Sequence, residues 1–204
     1  MKKQYVLGIL FFGALWGVSE AALGGWMYAA GIRQAAPVVL AVIAFALLTL
    51  GRVYVPLPGS SAAMGALAML FKYLSAPDYL CHLLAIFLLG AGYDVVYSLA
   101  RGRGKPLIGL AGTYLGFALF ALSITYVFRY HWWIAEGWPK VLRYVGISGT
   151  IAAACNAAIV PLSDWLGRRL WRGALEKVPA RGWAFRAVSV VTAGLWVLAI
   201  IRKL

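Results

Sequence analysis

A series of long apolar segments constrains this chain more than any other feature. The hydrocarbon core of a bilayer is about 30 Å thick, and a helix needs about 20 apolar residues to cross it. Six segments match this length and the third is shorter; together they are about Tyr5–Ala30, Ala36–Val55, Ser60–Leu74, Tyr79–Ala100, Leu107–Phe128, Tyr144–Leu166 and Phe185–Ile201. The sequence therefore predicts six to seven membrane segments in a single integral membrane domain, residues 1–204, with no soluble domain.

Composition excludes a soluble globular fold. Apolar residues make up 63% of the chain and charged residues 12%, and the mean hydropathy is +0.83. Soluble domains average about 45–50% apolar and about 25% charged residues. A chain of 22.1 kDa cannot bury so much apolar surface in one core, so many side chains must face lipid. We expect an all-α, polytopic transmembrane helical bundle.

The basic residues indicate how the bundle is oriented. Nineteen Lys and Arg against six Asp and Glu give a net charge of +13, and the basic residues cluster between apolar segments. Cytoplasmic loops of membrane proteins carry such an excess, so nucleic acid is not a predicted partner. With seven spans and a cytoplasmic N-terminus, twelve basic residues fall inside and seven outside. We expect a multi-pass protein of the cell (inner) membrane, in contact with its lipids. If the third segment only dips into the membrane, every later loop changes side.

The aromatic run His131-Trp132-Trp133, together with Trp138, follows the fifth segment. Aromatic rings anchor membrane proteins at the depth of the lipid headgroups. We therefore expect this run to lie in an aromatic belt at the outer interface.

The first helix carries a stripe of small residues at four-residue spacing, Gly13, Gly17, Ala21 and Gly25. Such a stripe lets another helix approach backbone to backbone. It fits internal packing against a helix of the same chain, and it also fits docking of a separate protein.

Few charged residues lie within the apolar segments. Glu20 lies deep in the first helix, where a carboxylate is costly unless it faces a cavity or a partner. It fits a ligand-contacting group, and it fits equally well a structural ion pair with Lys72. The basic residues nearest to Asp94 in sequence are Arg101 and Arg103, and we expect Asp94 to form a salt bridge with one of them.

Residues 13–24, with the sequence GALWGVSEAALG, resemble the first helix of the substrate-binding S-components of energy-coupling factor (ECF) transporters. The overall plan is similar too, with about 200 residues, short loops and no soluble domain. Looser similarity covers residues 58–61 and 68–72, and the resemblance spans about half of the chain. The chain departs from the family pattern in having seven segments instead of six, and in having glycine at three of the four stripe positions.

The resemblance implies a function and a set of partners. S-components bind a small molecule, such as a vitamin or a precursor, in a pocket near the outer face. The stripe would dock the transmembrane coupling subunit, which works with cytoplasmic ATPases. Aromatic side chains would stack on the substrate ring and charged ones would pair with its charges; the candidates are Glu20, Lys72, Trp26, Tyr28, His82 and Asn156. S-components for nickel and cobalt carry a histidine near the N-terminus, and this chain has none there.

No pattern in the sequence indicates an enzyme. The two histidines, His82 and His131, are both expected at the outer side, where they could share a metal or heme but where histidines more often lie among interfacial aromatic residues, and there is no H-E-x-x-H or phosphate-loop spacing. We therefore predict no catalytic residue, no cofactor and no metal. The alternative function is a non-catalytic accessory subunit of a larger membrane complex. An S-component needs a polar pocket around Glu20 and Lys72, whereas an accessory subunit would have those charges paired and dry.

Overall fold

The computed structural model describes residues 3–75, 80–171 and 183–201, and these ranges form helices joined by short loops, with no strand among them. The helices are α1 (Lys3–Ala29), α2 (Ala36–Tyr54), α3 (Ser60–Ser75), α4 (Leu80–Leu99), α5 (Lys105–Leu122), α6 (His131–Glu136), α7 (Trp138–Arg143), α8 (Thr150–Trp171) and α9 (Trp183–Ile201). A π-helical turn, Ser123–Val127, continues α5, and a second one, Tyr144–Gly149, leads into α8.

The described helices match an all-α membrane protein. Within the described residues, five stretches are long and apolar enough to cross a membrane, and they are Lys3–Ala29, Ala36–Tyr54, Cys81–Leu99, Lys105–Val127 and Trp138–Leu170. The third and last predicted segments correspond to α3, with 16 residues, and to the shorter apolar stretch Arg186–Ile201. The number of membrane spans, six or seven, therefore stays a prediction.

Six helices close into a ring. Neighbours around it are α1, α3, α4, α5, α8 and α2, and α2 returns to contact α1. The centre of the ring is filled by buried aromatic and aliphatic side chains, among them Trp16, Phe45 and Tyr93. The last helix, α9, lies outside the ring against α1 and α3.

Close contacts at glycines show the direction of each helix. Gly13 and Gly17 of α1 face Leu67 and Phe71 of α3, so these two helices run parallel. Comparable contacts make α4 antiparallel to α3, and α5 antiparallel to α4. The chain therefore reverses direction between successive helices from α1 to α5, and α3 runs beside α1 from the N-terminal part of the bundle to about the level of Glu20. We call the end at which α1 begins the N-terminal end and the opposite end the distal end.

The N-terminal end is held by a buried ion pair that differs from the one expected. Asp94 accepts a hydrogen bond from Arg52 at 2.8 Å, and both side chains are largely buried. The expected partners Arg101 and Arg103 are exposed in the loop between α4 and α5. The prediction was wrong because it considered only basic residues near Asp94 in sequence, whereas Arg52 reaches it from the end of α2.

Candidate ligand-binding cavity

The ring of helices encloses a cavity of about 270 Å³ near the distal end. It is lined from α1, α2, α3, α4, α5, α6 and the π-helical turn before α8. Its lining includes polar and aromatic side chains, which are those of Glu20, Tyr28, Lys72, His82, Phe117, Phe120, Trp133 and Tyr144. Four of these, Glu20, Lys72, Tyr28 and His82, are among the six residues proposed from sequence.

A buried ion pair lies at the deep side of the cavity. Lys72 Nζ donates to Glu20 Oε2 at 3.1 Å, and Trp16 Nε1 donates to Glu20 Oε1 at 3.2 Å. Glu20 is 6% exposed and Lys72 7% exposed. Glu20 precedes the end of α1 by nine residues, which places it about 14 Å below the distal end of that helix. The pair expected on the structural interpretation is present, and both of its members also line the cavity.

A second polar pair lies nearer the distal end. The Tyr28 hydroxyl and His82 Nε2 are 3.0 Å apart, and the centroids of the two rings are 5.2 Å apart. Tyr28 is in the last turn of α1 and His82 in the first turn of α4. One hydroxyl and one imidazole therefore lie between the ion pair and the distal end, where they can donate hydrogen bonds to a bound molecule or accept them from it.

Aromatic rings form one wall of the cavity. Phe117 stacks on Tyr144 with centroids 5.0 Å apart, and Phe120 meets Trp133 edge to face at 5.4 Å. Trp133 also packs against Tyr144 at 5.3 Å. Such rings present flat apolar faces on which a planar group of a ligand can stack.

Sequence reasoning missed this wall. The run His131-Trp132-Trp133 predicts an interfacial belt for both tryptophans. The π-helical turn that ends α5 precedes the short helix α6, and Trp133 of α6 packs against α5. Its neighbour Trp132 is 65% exposed, as a belt residue would be. Nothing in the sequence distinguishes the two tryptophans, since their difference arises from the rotation of α6.

The other two proposed binding residues lie outside the cavity. Trp26 is 60% exposed and faces away from the ring. Asn156 is fully buried between α5 and α8, where its Nδ2 donates to Thr113 Oγ1 at 2.9 Å. The cavity therefore does not include them.

The small-residue stripe of α1 is divided between two environments. A Cβ on Gly13 or Gly17 would lie within 2.7 Å of a side-chain atom of α3, so both pack inside the chain. Ala21 is half-buried and Gly25 is exposed. A Cβ added to Gly25 would meet no other atom within 4 Å. Internal packing thus accounts for the first two positions, and docking of a partner stays a prediction that concerns the other two.

Comparisons with known proteins give no family for this chain: no protein-family model, curated protein or solved structure matches it. Within residues 3–75, 80–171 and 183–201, no three His, Cys, Asp or Glu side chains lie close enough together to hold a metal ion.

Proposed function

We propose that this chain is the substrate-specific membrane subunit of an ECF-type importer for a small molecule such as a vitamin or a precursor. The observation that carries the proposal is the cavity inside the helical ring, with the buried Glu20–Lys72 pair at its deep side. Ionisable residues within membrane segments that face a cavity mark substrate or ion pathways. A cavity with aromatic walls and a few converging polar groups is the usual form of a small-molecule site.

The position of the cavity fits uptake from outside the cell. The N-terminal end of the bundle carries a basic group that includes Arg101, Arg103, Lys105, Arg168 and Arg169. By the positive-inside rule this end faces the cytoplasm. The distal end, where the cavity lies, then faces outward, and the chain crosses the membrane with its N-terminus inside. The run 172–182, which adds further basic residues, lies outside the described residues.

An importer of this type needs an energy source, and this chain offers no nucleotide-binding motif. The ECF resemblance supplies one through a transmembrane coupling subunit and its cytoplasmic ATPases. Because Gly13 and Gly17 are occupied by α3, the coupling subunit would contact α1 at Ala21 and Gly25.

The alternative is a non-catalytic accessory subunit of a larger membrane complex. One observation favours it: Glu20 and Lys72 bond directly to each other, as two structural charges would. The alternative predicts that the Glu20–Lys72 pair is dry, that the subunit carries only lipid, and that the chain co-purifies with unrelated membrane proteins.

Native mass spectrometry of the gently solubilised protein tests the proposal. A molecule of fixed mass should stay bound to the isolated subunit and should be lost in Glu20→Gln. Trp26→Leu is the matched control, because Trp26 lies on the same helix but outside the cavity. A subunit that carries only lipid in all three forms, and that associates with neither a coupling subunit nor ATPases, would leave the accessory alternative.

A further inference from the structure

We propose that the cavity selects a small aromatic zwitterion, a molecule with one positive charge, one negative charge and no net charge. The inference rests on the proposed substrate-binding function and specifies the class of substrate. It follows from two properties of the cavity, which are the ion pair at its deep side and the aromatic rings above that pair.

The ion pair determines the charge of the ligand. Glu20 and Lys72 are almost fully buried and neutralise each other. A ligand with one charge would add a third charge to this neutral pair, so one buried charge would be left without a counterion. That arrangement is strongly unfavourable. A zwitterion avoids it, because its carboxylate accepts from Lys72 Nζ while its cationic group donates to Glu20, and four alternating charges result.

The shape of the cavity determines where the ring of the ligand lies. With the charged groups at the deep side, the rest of the molecule extends toward the distal end, between Phe117, Phe120 and Trp133. A volume of about 270 Å³ is near the lower limit of ligand pockets, which span about 300–1,000 Å³. This volume suits one or two fused rings with a short charged side chain.

Isothermal titration of the detergent-solubilised protein with probes that share one ring tests the inference. The probes are tryptophan, which is a zwitterion, tryptamine, which is a cation, and indole-3-acetate, which is an anion. Phenylalanine, phenethylamine and phenylacetate repeat the series on a smaller ring. We expect each zwitterion to bind with a Kd at least about tenfold lower than either singly charged probe of its series.

Two variants should invert this preference. Glu20→Gln leaves the Lys72 ammonium without its counterion and should shift selectivity toward the anionic probe. Lys72→Met leaves the carboxylate and should shift it toward the cationic probe. Trp26→Leu should keep the wild-type order of affinities, since the Trp26 side chain is exposed and does not line the cavity.

The wild-type titrations decide the inference even if a variant fails to fold. Tighter binding of a singly charged probe, or no binding of any of the six, overturns it. Neither result removes the proposed function, because native mass spectrometry tests that separately through the molecule the protein retains from the cell. If a retained molecule carries a net charge, the function stands and the zwitterion inference fails.

Discussion

The buried ion pair at the N-terminal end gives the sharpest stability prediction. Arg52 donates to Asp94 Oδ1 at 2.8 Å, to Ser98 Oγ at 3.0 Å and to the carbonyl of Leu57. Asp94 in turn accepts the backbone N–H of Gly59 at 2.8 Å. The pair therefore joins α2 to α4 and holds the loop that leads into α3.

Asp94→Asn keeps the shape of the side chain but leaves the buried Arg52 guanidinium without a counterion. Removal of one partner from a buried pair costs about 3–5 kcal/mol. For a chain of this length each kcal/mol lowers Tm by about 2–4 °C, so we expect a fall of about 6–20 °C. The double variant Arg52→Met with Asp94→Leu should cost less than the two single changes together, by about 0.5–3 kcal/mol.

Thermal unfolding in one detergent, followed by intrinsic tryptophan fluorescence, measures these changes. Arg103→Gln is the matched control, because this side chain is exposed at the same end of the bundle, and its effect should stay within about 0.5 kcal/mol. The reasoning fails if Asp94→Asn shifts Tm by less than about 2 °C, or if Arg103→Gln is as damaging as Asp94→Asn.

Three further predictions concern packing, titration and orientation. Gly109→Ala would place a Cβ against the backbone carbonyl of Asn156 in α8, closer than any ordinary contact, and should lower the free energy of unfolding by about 1–3 kcal/mol. Gly25→Ala is the control, because a Cβ there lies in open space, and it should change the free energy of unfolding by no more than about 0.5 kcal/mol. Equal effects of the two changes on thermal unfolding would refute the close packing of α5 against α8. The hydrogen bond from Lys140 lowers the pKa of the Glu136 carboxyl. The stabilisation from this ion pair is therefore fully present above the ordinary pKa of a Glu carboxyl and is lost as the pH falls through the lowered pKa. An NMR titration should show the pKa of Glu136 return toward its ordinary value in Lys140→Met, and an unchanged pKa would show that Lys140 does not lower it. In a background without native cysteines, a membrane-impermeant thiol reagent should label Lys140→Cys from outside and Arg103→Cys only after permeabilisation; the reverse pattern would invert the proposed topology.

The positions of the helices can be predicted well from sequence. The second apolar segment is predicted at Ala36–Val55 and the helix spans Ala36–Tyr54. This accuracy has a physical reason, because the length of an apolar run and the prolines near its ends, here Pro37 and Pro56, are local properties of the chain. The 16-residue helix α3 also lies where the sequence predicts it, although its length alone does not show that it runs parallel to α1.

The direction in which a side chain faces cannot be predicted in the same way. Tyr28 lines the cavity whereas Trp26, two residues earlier on the same helix, is 60% exposed. In a soluble protein the polar face of a helix would indicate its rotation. In a membrane helix the lipid-facing side is as apolar as the buried side, so periodicity does not separate a binding residue from an anchor. The same ambiguity allows Gly13 and Gly17 to be interpreted as a docking surface.

The two buried ion pairs can be compared directly, and their difference bears on function. The carboxylate of Asp94 accepts hydrogen bonds from Arg52 and from two backbone N–H groups, and the guanidinium also donates to a carbonyl and to two hydroxyls, so this pair makes several hydrogen bonds besides the one that joins its members. Lys72 has three N–H donors, and within the described part of the chain it donates to Glu20 and borders the cavity. A pair that only stabilises the fold would gain from saturation, since unmet donors in a buried site are costly. On the proposed function, the remaining donors of Lys72 would bind the carboxylate of the substrate without breaking the contact with Glu20.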